Sequence, residues 1–144
     1  MNAGLTYREA AVAGANPVRL VILLYEQAME DLRRALEAHR HGDIEGRTRG
    51  INHALVIIGQ LQGTLDKDRG GKVAANLERF YQQLRAGLLE AQSKQSDEVL
   101  ERQIVHLRQV HEAWCEVEKA VIPAVEQPQP QPESESESPS EWNA

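Results

Sequence analysis

The chain has one cysteine, Cys115, among 144 residues. No disulfide can form within it, which points to a reducing cytoplasm. A long apolar run is missing too: Val18 to Tyr25 is interrupted by Arg19 and falls far short of the roughly 20 residues that span a bilayer. Nothing at the start resembles a basic stretch followed by an apolar run and a small-residue cleavage site, so no secretory leader is expected. These absences share one reading, a soluble cytoplasmic protein with no membrane insertion.

A basic face is also lacking. The formal charge of −6 comes from 16 basic and 22 acidic residues, and beyond Lys119 the chain holds five glutamates (Glu126, Glu133, Glu135, Glu137 and Glu141) with no Lys or Arg. Setting those five aside leaves 17 acids against 16 bases, no surplus with which to hold a phosphate backbone. Nucleic acid is therefore not expected as a partner. Signatures of chemistry are equally scarce. None of the five histidines follows a Glu by three residues, the spacing with which helical bundles present bridged metal ligands. No phosphate-binding loop and no Gly-x-Ser-x-Gly elbow occurs. His111 and Cys115, one helical turn apart, supply only two ligands and read as packing at a core edge. No catalytic residue, metal ligand or cofactor is expected.

What the chain does have is helical periodicity. Its length suits one domain with one core. Asn16 and Pro17 open a first helix as cap and first-turn residue. Gly42 and Asp43 close it and cap a second. Gly70 and Gly71 separate the second from a third, with Asp66 and Asp68 as turn formers. Ser96 caps a fourth, Asp97 and Glu98 suit the positive end of its dipole, and Pro123 ends it. At about 100° per residue, one arc of the first helix carries Val18, Val21, Ile22, Leu24, Tyr25, Ala28, Met29, Leu32 and Leu36. Matching stripes are Ile51, Ala54, Leu55, Ile57, Ile58, Leu61 and Leu65 on the second helix, then Val73, Leu77, Phe80, Tyr81, Leu84 and Leu88 on the third. Leu100, Ile104, Leu107, His111, Trp114 and Val117 make the fourth. Short loops between amphipathic helices predict an all-α, antiparallel up-down four-helix bundle over residues 16–122.

Both termini stand outside that pattern. Residues 1–15 are rich in apolar side chains (Leu5, Tyr7, Ala10, Ala11, Val12) yet precede the first cap, which predicts an N-terminal arm laid over a groove of the bundle and displaceable by a partner. Residues 123–144 are Pro, Gln, Glu and Ser for most of their length and predict a disordered tail that aids solubility and spacing. Within the helices, Leu23, Val56, Leu89 and Val105 each point roughly opposite the buried arc. Single exposed aliphatics are ordinary, but one on each helix suits grooves that accept an apolar partner helix.

His53 is the one residue that invites a chemical reading, since a histidine phosphotransfer bundle exposes such a side chain on its second helix. Those domains resemble His-x-Leu-Lys-Gly. Here the run is His53-Ala54-Leu55-Val56-Ile57, without the Lys that neutralises phosphate or the Gly that opens access to the ring.

Taken in order, the residues resemble the FliS family of flagellin chaperones. The family pattern of an N-terminal Tyr and then Pro-x-x-Leu-Val-x-x-Leu-Tyr is similar to Tyr7 and to Pro17-Val18-Arg19-Leu20-Val21-Ile22-Leu23-Leu24-Tyr25. Ala35, Gly42-Asp43-Ile44, Ala54, Ile57, Leu61, Leu65-Asp66 and Gly70-Gly71 continue it. Ala74-Ala75-Asn76-Leu77-Glu78-Arg79-Phe80-Tyr81, Leu84, Leu88 and a late Trp114 complete it. The family commonly has Asn where Gln92 stands and a polar residue where Val56 stands, and the Pro-rich tail lies outside the pattern.

The resemblance implies a chaperone without ATP or catalytic groups, which wraps the disordered C-terminal segment of flagellin around its grooves. Partner contacts would then fall on Leu5, Tyr7, Leu20, Leu23, Tyr25, Val56, Gln60, Leu89, Gln92 and Val105. It also implies delivery to the export gate protein FlhA, and the same grooves leave room for a weak homodimer of the free protein. A chaperone for another flagellar export substrate fits the same pattern.

Overall fold

The computed structural model describes residues 17–126, with side chains over 17–120. The arm, Asn16, Leu5, Tyr7 and the tail beyond Glu126 lie outside the described residues. Those that are described form four helices, α1 (Pro17–Arg40), α2 (Ile44–Gly63), α3 (Lys67–Lys94) and α4 (Asp97–Glu126). None is long and apolar enough to cross a membrane.

Local chemistry sets the boundaries. Gly42 adopts a φ of 75°, which costs a residue without Cβ little, and the Asp43 carboxylate then accepts the Gly46 amide at 2.8 Å to cap α2. Asp66 does the same for Arg69 at 3.1 Å, and Ser96 Oγ for Val99 at 3.1 Å. The expected break at Gly70 and Gly71 is found inside α3 instead of ahead of it. Lys67 already starts the helix, and Gly71, at φ 55° and ψ −131°, interrupts it after one turn. Pro123 was expected to end α4, yet the helix runs on to Glu126. A proline forfeits its own N–H bond and crowds one carbonyl, which bends a helix close to its end without having to terminate it.

Cross-helix contacts fix the topology. Arg19 pairs with Glu118 and His39 with Asp97, so α4 runs antiparallel to α1. Arg47 reaches the Ala91 carbonyl while Arg85 reaches Gln62, which sets α3 antiparallel to α2. Each helix flanks two others, and the ring closes in chain order as an up-down bundle. The seam between α1 and α2 is the tightest. A Cβ placed on Gly50 would lie 2.7 Å from the Asp31 carbonyl and 2.9 Å from Ala35 Cβ, so the two backbones approach as only small residues permit. Between α3 and α4, the space where Gly87 lacks a side chain is filled by the carboxamide of buried Gln103.

The interior is packed by the stripes read from the sequence, with Ile22, Leu32, Ile51, Ile58, Leu61, Leu84, Leu88 and Leu107 all fully buried. Two stripe residues depart from it. Val73 is 66% exposed and Val117 43% exposed, because the bundle does not close over the first turns of α3 and the last turns of α4.

Polar groups inside are few and mostly paired. Tyr25 Oη donates to Tyr81 Oη at 3.0 Å across the bundle diagonal. Burial pushes both phenols above the usual range, and for Tyr25 this outweighs a hydrogen bond from the Trp114 side chain. The buried Arg47 guanidinium donates to the Ala91 carbonyl at 3.3 Å, at the negative end of α3. Asp31 is buried as well, and accepts from Gln27 Nε2 at 2.9 Å and His53 Nδ1 at 2.6 Å. Burial raises its pKa, more than those hydrogen bonds lower it.

Two outcomes follow. Leu84→Ala removes a fully buried side chain and should cost about 2–5 kcal/mol in urea melts, whereas Val73→Ala should cost under about 0.5 kcal/mol. Asp31 holds its proton more tightly folded than unfolded, so its contribution to stability is complete below its ordinary value of about 3.9 and is lost as pH rises through the folded pKa. Asp31→Asn, neutral and still an acceptor, should therefore melt above the parent at pH 7 by circular dichroism, with the gap closing as the pH approaches that ordinary value.

Candidate functional site

The unclosed end of the bundle is an apolar groove. α3 restarts after the Gly71 break, and its next turns carry Val73, Ala74 and Leu77 with no continuous helix ahead of them. Opposite lie the last turns of α4, with Val110, Trp114 and Val117, none of them buried. A hollow of about 300 Å³ between the start of α1 and the start of α3 is lined by Pro17, Val18, Leu20, Val21, Leu65, Val73, Leu77 and Trp114 among others. A shallower one of about 190 Å³, between α3 and α4, is lined by Val73, Leu77, Val110, Ala113, Trp114 and Val117. Both share Val73, Leu77 and Trp114, so they form one continuous apolar track. Trp114 packs against the core that holds the Tyr25–Tyr81 hydrogen bond, which ties the floor of the track to the interior.

The second concavity is polar. Between α1 and α2 a groove of about 590 Å³ is lined by Gln27, Asp31, Arg34 and Ala38 from one helix and by Gly46, Arg49, Gly50 and His53 from the other, with Asp43 at its end. Here the sequence reading of His53 as a solvent-facing ring changes: the ring is half-buried, with Nδ1 held by Asp31.

The residues proposed from the sequence scatter over the molecule. Leu20 lines the apolar groove, and Leu23 is half-buried outside it. Tyr25 is fully buried, beneath the groove rather than in it, because its hydroxyl is committed to Tyr81. Val56 and Leu89, each 53% exposed, and Val105, 36% exposed, do face outward but line none of the grooves described above. Gln60 is half-buried on α2, and Gln92 Nε2 donates to Thr48 Oγ1 at 2.9 Å, bracing α3 against α2. Leu5 and Tyr7 fall outside the described residues. Sequence reasoning placed Val73, Leu77, Trp114 and Val117 in the core and so missed the groove they line. The signal was the glycine pair just ahead of Val73 together with a fourth helix longer than the first.

No group of three or more His, Cys, Asp or Glu side chains among the described residues could hold a metal ion. His111 Nε2 meets Glu26 at 3.0 Å with Cys115 Sγ at 3.8 Å, a tie between α1 and α4 at the core edge.

Comparison with known proteins gives this architecture its relatives. A family model described as "Flagellar protein FliS" matches residues 1–121. The chain is 37% identical over 106 residues to the flagellar secretion chaperone FliSB of Pseudomonas aeruginosa, which covers 74% of this chain and 84% of that protein. It is 30% identical over 110 residues to the flagellar secretion chaperone FliS of Salmonella typhimurium, covering 76% and 82%. The FliS of Vibrio cholerae is 27% identical over 109 residues, covering 76% and 80%. An all-α bundle with an open apolar end, matched along nearly its whole folded length, belongs to the non-enzymatic FliS family of flagellar secretion chaperones.

Proposed function

We propose that this chain holds the C-terminal segment of flagellin in the cytoplasm before export, seating it as short helices in the apolar track at the open end of the bundle. The observation that carries this is the track itself: Leu77, Val110 and Trp114 stay partly solvated, and Val73 and Val117 openly so, on helices whose other stripe residues are mostly buried. From Val110 to Val117 the track runs along about 10 Å of helix, room for about two turns of a partner. Helix-in-groove recognition gains its free energy by covering such a surface, and that gain must exceed the ordering cost of a partner that is disordered when free. Capping the segment keeps it from polymerising early.

The arm has a role in the same picture. Pro17, the first described residue, lines the track, and this supports a reading in which residues 1–15 cover it until cargo displaces them. Leu5 and Tyr7 then serve as the apolar contacts of that cover. Cargo longer than the track passes on to the outward Val56, Leu89 and Val105 and the half-buried Leu23, Gln60 and Gln92. Tyr25 acts from below, by positioning Trp114. Handover to the export gate protein FlhA completes the cycle.

Titration calorimetry with a purified C-terminal flagellin peptide tests the assignment. One-to-one binding at micromolar concentration with a gain in helical content is expected. Leu77→Glu or Trp114→Ala should weaken it about tenfold or more, the range of a central interface residue, while Val56→Asp should weaken it less. Absence of heat and of added helix would remove flagellin as cargo, and binding of another flagellar export substrate at the same residues would reassign the cargo. Deleting Met1 to Ala15 should leave the melting transition in place and keep or raise the affinity, whereas loss of folding would make the arm part of the core.

A further inference from the structure

The polar groove between α1 and α2 lies apart from the apolar track and shares no lining residue with it. Its chemistry is lopsided. The acids that face it are engaged: Asp31 accepts from Gln27 and His53, and the Asp43 carboxylate caps α2 through the Gly46 amide. Its donors are not. Arg49, one turn before His53 on the same face of α2, makes no hydrogen bond or ion pair among the described residues, and Arg34 is held only by Glu30 of its own helix, well out in solvent. His53, held on Asp31 through Nδ1, closes the inner end of the groove. Gly46 and Gly50, without side chains, leave the space that makes this a groove. Two guanidinium groups beside such a hollow suit a carboxylate.

The chain carries such groups on its own tail. Residues 127–144 contain Glu133, Glu135, Glu137 and Glu141 and no Lys or Arg. Because Arg19 lies opposite Glu118, α4 continues about 12 Å beyond that level to Glu126, and Arg34 lies about 22 Å on the other side of it. The span to the groove is thus about 35 Å along the bundle. Pro128, Pro130 and Pro132 favour an extended chain of about 3.1 Å per residue, so Glu137 reaches about 34 Å from Glu126 and Glu141 about 46 Å. Glu133 and Glu135 fall short. Tethering raises the local concentration to the millimolar range, enough to fill a site that would be weak between free molecules.

We propose that the α1–α2 groove is a carboxylate site for the chain's own C-terminal segment, with Glu141, and Glu137 at the limit of reach, docking against Arg49 and Arg34. The proline-alternating stretch acts as the spacer and the glutamates beyond it as the ligand. The docked segment covers a face of the bundle remote from the apolar track, leaving that track open to cargo.

Paramagnetic relaxation in the full-length protein tests it, with a spin label on Ser140→Cys in a Cys115→Ser background. Amide signals of Gly46, Arg49, Gly50 and His53 should be lost at low salt. They should return in about 1 M salt, where the screening length falls to about 3 Å, and also in the Glu137→Gln/Glu141→Gln and Arg34→Gln/Arg49→Gln variants. Undiminished signals at low salt, or losses that persist in the Glu→Gln variant, would overturn the proposal. Losses centred on Leu77 and Trp114 would overturn it by placing the tail in the apolar track. Losses seen when labelled chains are mixed with unlabelled, isotope-enriched ones would overturn it by assigning the groove to a second molecule.

Discussion

At Gly71 the backbone takes a positive φ that other residues adopt only under strain, and the helix that resumes there starts with no continuous turn ahead of it. Its first apolar residues therefore project beyond the ground that the other three helices cover. α4, the longest helix, overshoots at the same end and leaves Val117 without a lid. The open track is the direct outcome of those two mismatches. Sealing it with larger side chains would stabilise the bundle and remove the surface on which a partner could be held, since any cargo must find apolar area that the fold has not already used.

An opening of this kind needs a rigid frame, and the opposite end supplies it. There Gly46 and Gly50 allow α2 to approach Ala35 and Ala38, Gln103 fills the space beside Gly87, and Arg47 donates to the Ala91 carbonyl near the end of α3. Polar side chains at these points contribute geometry more than net stability. A buried Asp31 that holds its proton too tightly is a cost, and its hydrogen bonds to Gln27 and His53 fix one register between α1 and α2 in return. The Tyr25–Tyr81 pair does similar work beneath the track, where two buried hydroxyls satisfy each other and join α1 to α3.

Membership in a family of secretion chaperones accords with a molecule whose polar groups brace helices and whose open groove is apolar. Specificity in such a protein comes from shape and from the spacing of exposed aliphatic and aromatic side chains, with no chemical step to accelerate. The charged groove on the far face belongs to a different kind of recognition, through carboxylates. The two surfaces need not compete.

The sequence by itself determined the helices, their caps and most of the buried stripe, because these depend on neighbours within a turn: Asp43, Asp66 and Ser96 bond to amides three residues on, and an apolar arc is set by the helical repeat. Tertiary structure alone decided which part of each arc is covered. Periodicity says which way Val73 and Val117 point, and only the lengths and offsets of the facing helices say whether anything lies there. The same limit explains why Val56, Leu89 and Val105 lie away from the grooves, and why Asp31 and His53, on different helices, could not be paired in advance. A local rule fixes a direction, whereas a groove is a gap between elements, and its walls come from segments that meet only after the chain has folded.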